Sequence, residues 1–324
     1  MRLSTLFLLA LILVTATISG VEARRQDPPT LASPPPPAAE SRPDNVKSLR
    51  LLPLRRDFTK GVEIPTGEKL EYEIKYSRFP IYATVGVVSF ENLGPASPIP
   101  GLNIDYAPPP EEQLIRLRST AVSKGILLAI LGIDVHDRFE NLVSTRDFST
   151  RLSFDEVKEG KKHRTQSGLF DETQQQVKYL TTNLANPAAQ PKIKNLPREE
   201  GMLSLLTAIY FVRLQKYREG QTMVFPVSYD EENYRFEVRV GKTEKLKTEC
   251  GKIKAVRLEP LLFGPGRFFN RKGEMKMWMS RDRLHVPLRL VAKTSSGTVT
   301  ARLLNFRQNC QLAEVKEEEL DEVK

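Results

Sequence analysis

Residues 202–214, Met-Leu-Ser-Leu-Leu-Thr-Ala-Ile-Tyr-Phe-Val-Arg-Leu, form a long apolar stretch in which only Ser204, Thr207 and Arg213 interrupt. Pro197 precedes the stretch and Gly220 follows it, and such residues commonly mark where a helix starts and stops. A bilayer span needs about 20 apolar residues, so this segment is too short to cross a membrane. Because it is apolar on every side, it predicts a helix that is buried on most of its surface.

The segments outside this stretch alternate with a period of two residues. In Lys69–Tyr76 the apolar residues Leu70, Tyr72, Ile74 and Tyr76 share one face, and the charged residues share the other. Residues 235–240 alternate in the same way, and residues 113–119 do so less cleanly. This pattern predicts half-buried strands of an antiparallel sheet with one solvated face.

The C-terminal third contains five short runs separated by turns rich in Gly, Pro, Asp and Ser. The runs are 243–249, 253–262, 273–280, 284–293 and 298–306. Their spacing is typical of an antiparallel meander. The sequence therefore predicts a mainly β fold, in which a curved, half-barrel-like antiparallel sheet wraps around the 202–214 helix. Residues 127–133, which follow Gly125, predict a second short helical or strand-capping element.

The N-terminus has the three parts of a secretory signal. Arg2 is basic, Leu3–Ile18 is apolar apart from four hydroxyl side chains, and Val21-Glu22-Ala23 offers a small-residue cleavage site. These features predict a signal peptide over residues 1–23 and cleavage after Ala23; an uncleaved N-terminal anchor is the alternative. We expect a periplasmic or otherwise exported protein with no transmembrane span after cleavage.

The rest of the chain divides by composition. Residues 24–63 contain the proline run 34–37, and such a segment favours extended polyproline conformations, so we expect a disordered tether or a pro-segment. Residues 64–308 are expected to form the β-rich exported domain. Residues 309–324 form an acidic tail.

The charge is unevenly distributed along the chain. The net charge is +9, and the last eleven residues contribute −4 because they hold six acids and two lysines, so residues 24–313 carry +13. A basic body favours an anionic neighbour, such as envelope lipid or an anionic cell-wall polymer, although a solvated basic surface explains the count equally well. Nucleic acid is not expected as a partner outside the cytoplasm.

Three motifs together resemble a known family. The chain has Gly67-Glu68-Lys69-Leu70-Glu71-Tyr72 followed by a strand with Gly86, and 207–213 resembles the signature Ser-x-x-Tyr-x-x-Arg with Thr207 in the place of the Ser. Residues 276–287 resemble the pattern Trp-x-Ser-x-Asp-x-x-x-x-Pro, and Gly297 precedes the last strand. Over residues 64–308 the chain is thus similar to the bacterial exported domain-of-unknown-function family 3108.

This resemblance implies an envelope location and a β-rich fold, and it brings no established activity. The chain departs from the family pattern at Ser204, where an acidic residue is expected three positions before the signature hydroxyl. The nearest acid upstream is Glu200. A role of that acid is therefore not carried over to this chain.

Motifs of known chemistry are absent from the sequence. His136, His163 and His285 lie far apart, and there is no His-Glu-x-x-His, Cys-x-x-Cys, Gly-x-Ser-x-Gly or phosphate-loop motif. Asp282 or Glu200 could act as a general acid in principle, but a charged turn residue is the simpler interpretation. We therefore expect no catalytic residues, no metal site and no cofactor.

Five residues are candidates for ligand contact. Met275, Met277 and Met279 share one strand face and could line an adaptable apolar cavity or pack as core, while Trp278 faces the other way. Arg213 within the apolar helix needs a partner, because an unpaired buried charge is costly. That partner could be a carboxylate, sheet carbonyls or an anionic ligand.

The two cysteines, Cys250 and Cys310, could form a disulfide in an oxidising compartment. If the five C-terminal runs are neighbours in order, both cysteines emerge at the same end of the sheet. A flat sheet would separate them by roughly 19 Å, at about 4.8 Å for each strand spacing. The tail after Phe306 recovers about 13 Å of this, and sheet curvature could close the rest.

Three functions remain open at this stage. The first is a non-catalytic envelope protein that binds a lipidic or polymeric component or a partner protein. The second is an enzyme that acts on envelope or cell-wall material with an unrecognised carboxylate pair, and the third is a structural or assembly factor. An open cavity lined by Met and aromatic residues would favour binding, whereas a helix that fills the sheet would favour a structural role.

Overall fold

The computed structural model describes residues 51–124, 134–248, 251–264, 267–270 and 272–304. Within these ranges the strands form one antiparallel sheet of fourteen members. In chain order they are β1 (Lys69–Arg78), β2 (Ile81–Pro95), β3 (Leu114–Ser123), β4 (His136–Ser144), β5 (Thr150–Glu159), β6 (Lys162–Asp171), β7 (Gln176–Asn183), β8 (Lys192–Pro197), β9 (Thr222–Tyr229), β10 (Glu232–Thr248), β11 (Gly251–Pro260), β12 (Gly273–Ser280), β13 (Pro287–Thr294) and β14 (Gly297–Leu303).

The sheet is two meanders joined at β1. Its order is β8-β7-β6-β5-β4-β3-β2-β1-β14-β13-β12-β11-β10-β9. The chain therefore starts in the middle of the sheet, runs out to the edge strand β8, crosses to the opposite edge at β9, and returns until β14 pairs with β1. The sheet is not closed into a barrel. The predicted mainly β fold with a curved antiparallel sheet is confirmed.

The crossing from β8 to β9 contains helix α1 (Leu205–Arg213), the one helix found in the described ranges. Ser204 caps its N-terminus by accepting a hydrogen bond from the backbone N–H of Thr207. Every residue of α1 except Ile209 is buried. The predicted buried helix is thus confirmed, with bounds slightly inside 202–214.

The sheet face that contacts α1 is called the core face here, and the opposite face the outer face. Leu70, Tyr72, Ile74 and Tyr76 of β1 are buried in the main core, as their alternation predicted. On the outer face, the connection from β2 to β3 packs over β3–β5. Its residues Leu102, Ile104 and Tyr106 contact a second apolar cluster made of Ile99, Leu114, Leu142, Leu152 and Phe154.

The predicted runs of the C-terminal third match five of the strands with small changes. The predicted run 243–249 matches the second half of β10, which ends at Thr248, and the first half contains the predicted run 235–240. The pairing of β10 with β11 is irregular between Val240 and Thr243. The run 284–293 begins later, at Pro287, because residues 281–286 form the turn between β12 and β13.

The chain already packs against the sheet upstream of residue 64. Leu51 forms a bridge with Thr222 of β9, and Phe58 is buried against Phe148. The part of the predicted tether from 51 to 63 therefore lies on the domain. The signal peptide, the remainder of the tether, the 127–133 element, Cys250, Cys310 and the acidic tail lie outside the described residues.

Candidate functional site

The residues of the 207–213 signature connect α1 to the sheet. Arg213 is buried, and its two terminal nitrogens donate to the two carboxylate oxygens of Glu68 over 2.6 and 2.7 Å. Its Nε donates to the backbone carbonyl of Leu284 over 3.3 Å. Its guanidinium also lies 5.4 Å from the Tyr210 ring centre. Of the partners that the sequence left open, Arg213 thus has a carboxylate, that of Glu68 immediately before β1, and one backbone carbonyl.

The residues of the Trp-x-Ser-x-Asp-x-x-x-x-Pro pattern form the turn that contacts the C-terminal end of α1. Asp282 accepts hydrogen bonds from Ser280 Oγ and from the backbone N–H groups of Leu284 and His285. His285 Nδ1 then lies 2.8 Å from the carbonyl of Arg213, and burial lowers the pKa of this histidine. Neutral His285 therefore donates Nδ1–H to the helix end, and the charged turn residue Asp282 acts as a structural cap.

The other end of α1 is held by a buried polar cluster. Thr207 Oγ1 accepts from Asn141 Nδ2 over 3.0 Å and lies 2.9 Å from Thr150 Oγ1. Ser204 Oγ also accepts a hydrogen bond from Asn141 Nδ2. The backbone N–H of Ser204 donates to Thr150 Oγ1. Ser204, where the family pattern has an acid, thus acts as the helix cap and as part of this cluster.

The five candidate ligand residues divide between the two faces of the sheet. Met275, Met277 and Met279 are buried in the main core. Trp278 faces outward, where its Nε1 donates to Glu244 over 3.0 Å and the Arg289 guanidinium lies 5.6 Å from its ring. The structure brings Met277 and Arg213 to one cavity and places Trp278 on the opposite face.

That cavity lies between α1 and the core face and is almost entirely apolar. Its volume is about 70 Å³, and Tyr72, Tyr210, Met277 and Arg213 are among its lining residues. Small-molecule pockets are commonly about 300–1,000 Å³, so this space does not hold a lipid chain. Helix α1 fills the concave side of the sheet.

A group of buried carboxyls lies on the core face of β4 and β5. Burial raises the pKa of Asp137 to about 8, with the neighbouring Glu159 as the next cause, and raises the pKa of Asp155 to about 7. The adjoining cavity, which Asp155 and Tyr179 help to line, measures about 10 Å³. This is room for about one water molecule. A substrate does not fit beside these carboxyls.

The histidines lie apart, as their sequence positions suggest. His136 is 3.1 Å from Asp134, and His163 is 3.4 Å from Glu156. His285 contacts the backbone carbonyl of Arg213 at the C-terminal end of α1. In the part of the chain that the structure describes, no three His, Cys, Asp or Glu side chains come together in a way that could hold a metal ion. Nor does that part contain a helix with the length and apolar character to span a membrane.

A larger cleft opens mainly on the outer face, and we call it the basic cleft. Its volume is about 900 Å³. Its floor is formed by β1, β2, β13 and β14, and one wall is the end of β10. It is lined by Lys75, Tyr76, Ser77, Tyr82, Ala83, Thr84, Leu246, Lys247, Thr248, Leu288, Arg289, Thr300, Arg302 and Leu303.

Four cations and no carboxylate line the basic cleft. Lys75, Lys247, Arg289 and Arg302 are all exposed. Arg289 and Arg302 are register partners on β13 and β14, although like charges placed directly opposite each other are unfavourable. Glu73 at the margin faces Arg302 and pairs with Lys75 at 2.9 Å, and this ammonium group lowers the pKa of Glu73. Glu73 therefore offsets part of the positive charge beside the cleft.

The cleft was not among the sites predicted from the sequence. In the sequence, its cations are only polar positions on the solvated faces of separate strands, namely Lys75, Arg289 and Arg302. Their proximity depends on the pairing of β1 with β14, which joins Glu73 to Arg302 across most of the chain. The one sequence signal that points toward the cleft is the basic charge of residues 24–313.

These features define a mainly β protein with an open sheet, a filled core face and a cationic cleft on the outer face. The chain belongs to a family of proteins of unknown function, DUF3108, whose family model matches residues 107–304. The resemblance stated from the motifs is thereby confirmed. A search of curated proteins finds no match.

The solved structures that are similar to the chain include the following two. One is a beta-barrel-like protein of the domain of unknown function DUF1849 from Brucella abortus, with 11% identity, a TM-score of 0.43, and coverage of 74% of this chain and 97% of that chain. The other, from Bacteroides fragilis, has a YmcC-like fold and is described as exported. It has 10% identity, a TM-score of 0.27, and coverage of 74% of this chain and 95% of that chain.

Proposed function

We propose that this chain is a non-catalytic, exported protein of the bacterial envelope that binds an anionic envelope component in the basic cleft. The observation that carries the proposal is the lining of the cleft, with four exposed cations and no carboxylate in about 900 Å³. This volume is within the range of ligand pockets. Clefts lined by one sign of charge concentrate ligands of the opposite sign.

The surroundings of the cations support the same assignment. Guanidinium groups suit phosphate and carboxylate because they donate two parallel hydrogen bonds, and Arg289 and Arg302 are neighbours across two strands. Ser77, Thr84 and Thr300 add hydroxyl groups to the lining. An anionic lipid headgroup and an anionic polymer share the chemistry that such a surface would recognise.

Export rests on the signal-like residues 1–23 and fits the envelope location that the family resemblance implies. A periplasmic location is part of this proposal.

The structural alternative has one observation in its favour, which is the filled core face. Helix α1 leaves a space of about 70 Å³, so a carrier role inside the curve of the sheet has no support there. We therefore place the proposed ligand on the outer face. The Met275, Met277, Met279 and Arg213 side chains would then stabilise the sheet that carries the cleft, and Trp278 would position Arg289.

The proposal can be tested by titrating the purified chain with inorganic polyphosphate as a soluble anionic probe. We expect binding that weakens as salt is added. The double substitution R289Q/R302Q should weaken it at least about fivefold, which corresponds to a loss of roughly 1 kcal/mol.

The matched control is K192Q/K194Q, which removes two exposed cations from the edge strand β8. It should leave the affinity unchanged. Equal losses in both variants would indicate nonspecific attraction to a basic surface and would contradict a site in the cleft.

A further inference from the structure

The turn between β1 and β2 exposes two aromatic side chains beside the basic cleft. Phe79, in the two-residue connection, is 86% exposed, and Tyr82, which also lines the cleft, is 71% exposed. Arg78, Phe79 and Pro80 are all exposed together. Neighbouring exposed rings form an apolar patch on the surface, and such patches mark interaction sites when they are rimmed by polar residues.

Among the described residues, the pairing of β2 with β3 ends before the residues that carry these rings. The pair of β2 and β3 residues that lies nearest to the β1–β2 turn is Gly86 and Ser123. Between Gly86 and the turn, residues 81–84 of β2 pair with β1 and not with β3. Residues 78–80 at the turn are exposed, and on the other side of β1 the pairing with β14 extends as far as Ser77.

The order of side chains along the hairpin follows the order of layers at a membrane surface. Phe79 is at the end of the hairpin. Tyr82 pairs with Ser77, which is two residues or about 7 Å from Phe79 along β1, and Lys75 is four residues or about 13 Å from Phe79, at about 3.3 Å per residue. Membrane-bound proteins place apolar rings 5–10 Å into the boundary, amphipathic rings such as Tyr at the headgroups, and cations at the phosphates.

We propose that the anionic partner of the basic cleft is the surface of an anionic lipid bilayer, and that Phe79 inserts between the lipid headgroups. This inference rests on the proposed function and deepens it. Charge complementarity supports it, because four cations line the cleft and Arg78 is exposed beside Phe79. A soluble anionic polymer would use the same cations, but it would have no use for an exposed apolar ring.

Vesicle sedimentation tests the inference with the purified full chain. The probes are vesicles of phosphatidylcholine alone and of phosphatidylcholine mixed with phosphatidylglycerol. Polyphosphate serves as the soluble anion. All variants share the same N-terminal segment, so any contribution of that segment cancels when variants are compared.

We expect the chain to sediment with the anionic vesicles more than with the neutral ones. F79S should weaken this binding about tenfold, since burying a Phe side chain is worth at least about 1.5 kcal/mol, and should leave polyphosphate binding unchanged. R289Q/R302Q should weaken both. The control I193S removes a residue that is 62% exposed on β8 and should change neither.

The outcomes separate the two proposals. Binding of polyphosphate without binding of vesicles would overturn the membrane inference and leave the anion site standing. Equal vesicle binding by F79S and I193S would also overturn it. If the chain binds neither probe, both proposals fail.

Discussion

Glu68 and Arg213 show how a single ion pair joins the middle of the sheet to the helix. Glu68 precedes β1, and Arg213 is the last residue of α1. The Arg213 side chain is 1% exposed and that of Glu68 is 10% exposed. Removing one partner of a buried pair leaves a charge without solvent or counterion, which commonly costs 3–5 kcal/mol.

We therefore predict that E68A lowers the free energy of unfolding by about 3–5 kcal/mol. Urea unfolding monitored by circular dichroism measures this change. The control E63A removes the carboxylate that pairs with Arg55 at 3.0 Å, where the Glu63 side chain is 54% exposed, and should cost less than about 1 kcal/mol. Similar losses in both variants would contradict a special role for the buried pair.

Asp137 gives the stability a pH dependence of unusual sign. Its buried carboxyl has a pKa of about 8, far above the ordinary value, because burial disfavours its charged form. Between about pH 4 and pH 8 the folded chain holds a proton that the unfolded chain has lost. Folding is then favoured at the lower pH, and this contribution is lost as the pH rises to about 8.

We predict that the contribution of Asp137 falls by up to about 1.4 kcal/mol per pH unit across this interval. D137N has no proton to lose, so its unfolding free energy should decrease less between pH 5 and pH 8. The exposed carboxyl Asp105 offers a control, and D105N should behave like the unsubstituted chain. Identical pH profiles for D137N and D105N would show that Asp137 is not buried as a neutral acid.

At the scale of elements, helix α1 is the part on which both halves of the sheet converge. Leu206 is 2% exposed and lies in the main core. We predict that L206D prevents folding, because an unpaired charge there costs several kcal/mol against a total stability of about 5–15 kcal/mol. Circular dichroism and proteolysis of the expressed protein check this.

The matched control is I193D, which places the same charge on an exposed residue of the edge strand β8. It should fold with nearly unchanged stability. A well-folded L206D protein would mean that the helix lies at the surface.

The helix could be predicted because its long apolar stretch lies between a start and a stop signal, and β1 could be predicted because its residues alternate with a period of two. Strands β4 and β5 could not, since polar residues such as Glu140 and Asn141 are fully buried there. Their outer face is covered by the β2–β3 connection, and Arg116 and Arg138 neutralise Glu140. A strand that is buried on both faces and contains ion pairs has no period-two pattern for sequence analysis to detect.

At the scale of the whole molecule, strand order decides what comes together. The order β14-β13-β12-β11-β10 is the one that the disulfide prediction assumed. A bridge between Cys250 and Cys310 stays a prediction, since both cysteines lie outside the described residues. If it forms, the closed loop of about 60 residues should stabilise the chain by roughly 4 kcal/mol.

Counting free thiols in the unfolded, unreduced protein tests the bridge. We expect no reactive thiol and a monomer on a non-reducing gel. Two reactive thiols per chain would exclude the bridge.

The basic cleft is also a property of the whole sheet. Arg302 of β14 and Lys75 of β1 become neighbours only when the last strand returns to the first, and the end of β10 adds Lys247 as a wall. Local sequence patterns show each cation only as a solvated position. The overall excess of basic residues could be counted in advance, but its concentration on one face could not.

Lysine footprinting tests the central claim most directly, because it locates the bound anion without any substitution. The chain is acetylated with and without polyphosphate, and mass spectrometry compares the reactivity of individual lysines. We predict that the anion protects Lys75 and Lys247 severalfold, while Lys192 and Lys194, which are exposed on β8, stay unchanged. Equal protection at all four lysines, or protection at β8 alone, would contradict an anion site in the basic cleft.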